Sequence, residues 1–255
     1  MKNNLLKLEK ITKNFGNVKV LKEVDIEINT GEVVALIGDN GAGKSTLIKV
    51  ITGVHRPTSG KMYFKGEEVK IKSVSQSRKM GIETVYQERA LCDQQELYRN
   101  IFAGREITNS FGFINIKKQR KEAERILRDY IGFTSQAITV DSTVMGLSGG
   151  EKQGVAFGRS LYFDSDLIIL DEPTMGLSIQ ETQKVLNFVR GLKDKNKSAI
   201  FIDHNIVHVY GAADRFVILD RGEVVGKFRK DEISRDDLVK KMIELHDSGK
   251  IEVEA

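Results

Sequence analysis

The chain predicts an α/β fold, a mostly parallel sheet flanked by helices, and three observations lead there. Continuous apolar runs of buried-strand type recur as VVALI at 33–37, LIIL at 167–170, AIFID at 199–203 and RFVILD at 215–220. Segments at helical spacing alternate with them, STLIKVITG soon after the first and further helical stretches between LIIL and AIFID. The junction between the first buried strand and the first helix is GDNGAGKST at 38–46, with three glycines, a lysine and two hydroxyls in nine residues.

Bulk composition narrows the class. A chain of 255 residues with 40% hydrophobic content buries a real core, which excludes a disordered protein. Its net charge of +4, from 40 basic and 36 acidic residues, lacks the basic excess of a nucleic-acid or polybasic membrane surface, so no nucleic-acid partner is expected. The single cysteine, Cys92, excludes an intramolecular disulfide and is read as structural. The N-terminus MKNNLLKLEK has no apolar stretch of signal-peptide length, and no run approaches the ~18 residues of a spanning helix. The expectation is a cytosolic protein that meets the membrane through a partner.

Taken in order, LLKLEKIT and VKVLKEVDIEI alternate as strands about the turn NFGN, and NTGE leads into VVALI. Leu47, Ile48, Val50 and Ile51 mark a helix that ends at Gly53. After the turn RPTSG come the strand KMYF, the turn KGEE and a strand from Ile82 to Tyr86. Between Glu88 and about Ser148 the chain becomes helical and charged, as in KKQRKEAERILRDY with Ala123, Ile126, Leu127 and Tyr130 as its apolar positions. This stretch reads as an inserted helical subdomain. Near the C-terminus Ser234 is the expected N-cap ahead of Asp236 and Asp237, with Leu238, Val239, Met242 and Ile243 as one apolar face, expected to pack on the core, with a regulatory or subunit contact as the alternative. The last residues are expected to fray.

Gly38 to Ser45 fits G-x-x-x-x-G-K-[ST], a phosphate-binding loop, in the strand-loop-helix context that the chemistry needs. Glycines let backbone N–H groups converge on a polyphosphate, and the helix starting near Lys44 directs its positive end at the same anion. Lys44 would reach the terminal phosphates and Ser45 would ligate Mg²⁺. Asp171 and Glu172 follow LIIL, and in an open parallel sheet ligands bind beyond the carboxyl ends of strands, where Gly38, Asp171 and His204 all fall. Asp171 would hold Mg²⁺ indirectly, behind the groups that touch the ion or through water, and Glu172 would polarise the attacking water. A third feature, LSGGEKQGVAFGRS at 147–160, places Ser148, Gly149 and Gly150 before another helix. Read alone, it is equally ordinary helix capping.

Together these segments resemble the nucleotide-binding subunit of an ATP-binding-cassette (ABC) transporter, over about Leu5 to Phe228. GDNGAGKST is similar to its Walker A, LIILDE to its Walker B, LSGGE to its signature, Gln87 in VYQE to its Q-loop and His204 in IDHN to its switch histidine. The resemblance implies a P-loop NTPase fold of ABC ATPase type: a RecA-like core with a mostly parallel sheet, an N-terminal antiparallel β subdomain and an inserted α-helical subdomain. It implies one domain over 1–255, with 5–87 and 158–228 as core, 88–157 as helical subdomain and 229–255 as C-terminal helix and tail. ATP and Mg²⁺ are the implied cofactors. Asp39, Asn40, Gly41, Ala42, Gly43 and Thr46 complete the phosphate loop. Phe15 occupies the place of the adenine-stacking aromatic, and Gln87 that of the residue sensing Mg²⁺ or the attacking water. Two copies are implied to dimerise head to tail, so that Ser148, Gly149, Gly150 and Glu151 of one close over the ATP of the other. The implied place is the inner face of the cell membrane, against permease subunits and, indirectly, a solute-binding protein.

The sequence departs from the family pattern at Glu151 and Lys152, where glutamine and arginine are frequent, at Ser178, where the D-loop has aspartate, and at Asp203, where a hydroxyl is common. His55, His208 and His246 read as ordinary surface or core histidines. DNGAGKSTLIKVITGVHRPTSG with YQERALC and NIFAGRE resembles the ATPases of monosaccharide importers, the ribose, xylose, fructose and galactose group, in a single-cassette form. Two other readings stand beside import. A soluble ABC ATPase of the DNA-repair or ribosome-associated kind would bring a long coiled-coil insert, a second cassette or a basic stripe. A regulatory module that binds ATP without turnover would have no need of Lys44, Asp171, Glu172 and His204 together.

Overall fold

The computed structural model describes residues 4–85, 91–128 and 138–248. Two sheets form. In the first, β1 (Asn4–Phe15) and β2 (Val18–Asn29) make a long hairpin, and β1 also pairs with β4 (Ser59–Phe64), itself paired with β5 (Glu67–Val69); every pairing is antiparallel. The second contains β3 (Val33–Ile37), β6 (Ile82–Val85), β7 (Leu167–Asp171), β8 (Ser198–Ile202), β9 (Arg215–Asp220) and β10 (Glu223–Arg229). Its order is β10-β9-β3-β8-β7-β6, parallel except for β10 at the edge.

The parallel strands are apolar on both faces because each face is covered. Val34 and Leu36 of β3 enter a core shared with the antiparallel sheet and with α1 (Lys44–Ile51), while Val33, Ala35 and Ile37 enter a second core. That second core is closed by α6 (Ile179–Gly191), α7 (Ile206–Ala212) and α8 (Arg235–Ser248). Alternate residues of β7 and β9 divide in the same way, Ile169 and Val217 to one side, Ile168 and Phe216 to the other.

A third core lies in the insert. Leu97 and Phe102 of α3 (Leu97–Phe102) and Ala123 and Ile126 of α4 (Ile116–Ile126) pack there with Val155 of α5 (Gly149–Tyr162). Ala156 and Phe157 of α5 belong instead to the second core, so this helix joins insert and sheet, and position 157/158 falls inside it. The two are also joined by charge. Glu83 of β6, 3% exposed, holds Arg78 Nε at 3.1 Å from α2 (Val74–Lys79) and hydrogen-bonds Arg105 Nη2 from the insert. Arg159 of α5 donates to the carbonyls of Asn100 at 3.3 Å and Ala103 at 2.9 Å.

Several elements differ from the sequence-based expectation. KGEE is a turn only in part, since Glu67 already belongs to β5. β10 was not expected, because an edge strand covered on one side has no continuous apolar run. In α8, Ser234 does cap the helix, its Oγ accepting from the Asp237 N–H at 3.1 Å. Over 235–245, however, its buried positions are Leu238 and Leu245, with Val239 and Met242 half-buried and Ile243 56% exposed. At about 100° per residue, 238, 242 and 245 share the stripe that meets the core, and 243 is turned off it. Cys92 is exposed and free. Tyr130 and Tyr86 lie outside the described residues.

Candidate functional site

The site is built at the carboxyl edge of the parallel sheet. β3 ends at Ile37, and the loop 38–43 delivers the chain into α1 through Gly43, whose φ of 107° caps the helix. Gly38 is required by close approach: a Cβ there would lie 2.1 Å from the Leu219 carbonyl oxygen. The loop is held from beside as well. Gly222, in the turn between β9 and β10, donates its N–H to the Ala42 carbonyl at 2.9 Å and accepts the Lys22 N–H at 2.8 Å.

Lys44 is 8% exposed and folds back over its own loop, Nζ donating to the carbonyls of Gly38 at 2.6 Å and Asp39 at 3.0 Å. Burial lowers its pKa, against the opposing pull of Glu172, Asp39 and Asp171. Asp39, Asn40 and Gly41 are exposed and Ala42 buried; in the first turn of α1, Ser45 is exposed and Thr46 half-buried.

Two carboxylates arrive from β7. Asp171 is half-buried, and burial raises its pKa, an effect the neighbouring Glu172 reinforces while Lys44 and His204 oppose it. Glu172 sits at a φ of 50°, unusual for a residue with a side chain, and donates its N–H to the Ile202 carbonyl at 2.9 Å. That turn aims its carboxylate across to the end of β8, where Oε1 lies 2.7 Å from His204 Nε2. Lys44, Asp171, Glu172 and His204 thus form one electrostatic group.

A second hydrogen-bonded cluster ties the same two strand ends together. The Thr174 hydroxyl bonds to Asp203 Oδ2 and lies 3.2 Å from His208 Nδ1. Asp203 Oδ1 accepts the Asn205 N–H at 2.8 Å, and the Asn205 side-chain amide meets His208 Nε2 at 3.3 Å. In the sequence, Asp203 stands out only as a departure from the family pattern and His208 reads as an ordinary histidine. The available signal was that Thr174 and Asp203 both follow buried strands, but nothing local says that these strands are neighbours.

Ser148 caps α5 with a reciprocal pair of bonds, its Oγ accepting the Glu151 N–H at 3.2 Å and Glu151 Oε2 accepting the Ser148 N–H at 2.8 Å. The Gly150 N–H is taken by Glu181 Oε1 at 2.8 Å. Gly149 opens the same helix. Ser178 caps α6 as Ser148 caps α5. Phe15, at the end of β1, is 44% exposed and meets the His55 ring edge-on at 5.1 Å. Gln87 lies outside the described residues.

A phosphate loop over a helix N-terminus, a paired carboxylate and imidazole, and a second glycine-flanked helix start are the parts of a nucleotide-triphosphate site. The family described as ABC transporter matches residues 21–175. This chain belongs to the ABC transporter family. The cassette is 43% identical over 239 residues to the xylose/arabinose import ATP-binding protein of Sulfolobus acidocaldarius, covering 94% of each chain. It is 37% identical to a ribose import ATP-binding protein of Caldanaerobacter subterraneus and 36% identical to a galactofuranose transporter ATP-binding protein of Escherichia coli O157:H7. In both cases the match covers 94% of this chain and 47% of the relative, so the cassette spans about half the length of those two.

Among solved structures, the cassette is similar to a nucleotide-free ATP-binding cassette from an ABC transporter, with 26% identity, a TM-score of 0.82, and coverage of 95% of this chain and 98% of that one. It is likewise similar to the ADP conformation of another ATP-binding cassette, with 26% identity, a TM-score of 0.79, and coverage of 96% and 99%. The fold is therefore the ABC ATPase fold, and the cassette is an ATPase that binds ATP. Among the described residues no helix is long and apolar enough to cross a membrane.

Proposed function

We propose that this cassette powers import of a monosaccharide through separate permease subunits, as a peripheral protein on the cytoplasmic face of the cell membrane. The observation that carries this reading is the 43% identity to a xylose/arabinose import ATP-binding protein over 94% of both chains. A solute-binding protein would be the indirect partner, and the proposal includes no nucleic acid. The proposed division is one cassette domain over 1–255, with its core at 5–87 and 158–228, the helical subdomain at 88–157 and the C-terminal helix and tail at 229–255.

In the proposed cycle ATP lies along residues 38–46, with its adenine stacked on Phe15. Lys44 leaves the carbonyls of Gly38 and Asp39, which it now satisfies, for the terminal phosphates. The Ser45 hydroxyl and the Asp171 carboxylate are hard oxygen donors, the chemistry that magnesium takes. Ser45 and Asp171, with Gln87 from outside the described residues, would be the groups that hold such an ion. When bound, it supplies charge neutralisation between the terminal phosphates. Glu172 accepts the proton of the attacking water, and His204, whose Nε2 now meets Glu172, turns to stabilise the γ-phosphate. Gln87 senses this state and passes it to the segment that follows, which meets the permease. Two copies close head to tail, bringing Ser148, Gly149, Gly150 and Glu151 of one onto the ATP of the other.

Uptake in the source organism tests the reading. Replacing Glu172 with Gln at the chromosomal locus should abolish uptake of one labelled sugar among xylose, arabinose, ribose and galactose and spare the rest. Undiminished uptake of all four would count against monosaccharide import.

A further inference from the structure

Glu181 stands in the first turn of α6, and its two carboxylate oxygens serve different elements. Oε2 accepts from the Ser178 N–H at 3.0 Å and from the Ser178 hydroxyl at 2.9 Å, closing the cap of α6. Oε1 accepts from the Gly150 N–H at 2.8 Å, across to the first turn of α5. The two helices lie side by side, with Phe157 of α5 and Phe188 of α6 stacked at 4.2 Å and 8°. One carboxylate therefore sits between two helix N-termini, where both helix dipoles favour a negative charge.

The absence of a side chain at position 150 is what admits it. A Cβ on Gly150 would stand 2.4 Å from Glu181 Oε1 and 2.6 Å from its Cγ. Gly150 is helical, so its backbone conformation makes no demand for glycine. The demand comes from the approach of Glu181.

We infer that Glu181 is a displaceable occupant of the α5 N-terminus, holding the place that the terminal phosphate of a second copy's ATP takes on closure. The inference rests on the head-to-tail arrangement proposed above. An N–H that serves a carboxylate is unavailable to a phosphate until the carboxylate leaves, and two anions at one helix start repel. Incoming nucleotide must therefore unseat Oε1 from Gly150. That step unties the start of α6 from α5, and with it the 173–178 segment that leads directly from Glu172. Nucleotide held by one copy would in this way be reported to the hydrolytic residue of the other. Ser178 is part of the device, because the hydroxyl that caps α6 holds the other oxygen of Glu181.

Light scattering with ATP and magnesium, on chains that also carry Glu172→Gln to stop turnover, tests this. Adding Glu181→Gln should lower the ATP concentration for half-maximal dimerisation about tenfold, the scale of one hydrogen bond to a charged group. Glu181→Asp, one methylene shorter, keeps a carboxylate near Ser178 but withdraws it from Gly150, and should shift the curve the same way. It carries the test should the Gln variant fail to fold. A purely structural role predicts the opposite, a higher ATP requirement with a lower Tm. An unchanged or raised requirement in a folded variant, while Glu172→Gln alone dimerises, overturns the inference and leaves the head-to-tail reading standing. A Glu172→Gln chain that stays monomeric at saturating ATP overturns both.

Discussion

Glu172 Oε1 and His204 Nε2 lie 2.7 Å apart, joining the ends of the adjacent strands β7 and β8. The contact fixes where each group points. Glu172 reaches it from a left-handed backbone conformation, with its own N–H anchored on the Ile202 carbonyl at 2.9 Å, so the turn is held by β8 itself. Strained conformations of this kind persist where the surroundings over-determine them.

Loss of the proton acceptor should appear in turnover alone. Glu172→Gln is expected to slow ATP hydrolysis by about 10²- to 10⁴-fold, the usual worth of a general base, with nucleotide affinity nearly unchanged. Steady-state hydrolysis beside equilibrium titration measures both. Parental turnover in this variant would remove Glu172 from the mechanism.

Lys44→Ala should act on binding. Its ammonium is the charge that the loop can bring to the terminal phosphates, and Nζ is held within 3.0 Å of the Gly38 and Asp39 carbonyls. Calorimetric titration should show weakened ATP affinity. Mixed with a Ser148→Arg chain, which is damaged only in the other half of a composite site, it should recover part of the lost activity. A mixture as inactive as either component would contradict the head-to-tail arrangement.

Ionisation of Asp171 should cost folding stability at neutral pH, by linkage. Burial, with Glu172 adding to it, raises its pKa in the folded protein. The folded state therefore holds this proton more tightly, a contribution fully present below the unfolded pKa and lost as pH rises through the folded one. Asp171→Asn should raise the Tm of the nucleotide-free protein, with a gap that is small at about pH 4 and opens toward pH 7. Thermal scans at several pH values check this; a gap independent of pH would assign the effect to packing. Hydrolysis should fall in the same variant.

The Glu83 network predicts a large effect far from the nucleotide. At 3% exposure Glu83 is the carboxylate shared by Arg78 and Arg105. Removing one partner of a buried charge pair costs about 3–5 kcal/mol, so Glu83→Ala should unfold at markedly lower urea. Because Arg105 comes from the insert and Arg78 from α2, the loss should also loosen the insert on the core, read as faster amide exchange in α3. Unchanged exchange there would limit the network to local stability.

What the sequence determined by itself is local. Continuous apolar runs mark strands covered on both faces, as VVALI does in β3, and GDNGAGKST marks the strand-to-helix junction because phosphate chemistry and backbone geometry demand those residues together. Edge strands covered on one side, β5 and β10, leave a weaker pattern. The tertiary structure decided which distant side chains meet. LIILD and SAIFI look alike as strings, and only the order β3-β8-β7 sets them side by side, bringing Glu172 to His204 and Thr174 to Asp203 and His208. Likewise Glu181 and Gly150, 31 residues apart, meet only where the starts of α5 and α6 come together. Periodicity states which face of an element is apolar, whereas its neighbour is set by the packing of the whole chain. The side-chain contacts that position a site are therefore decided last.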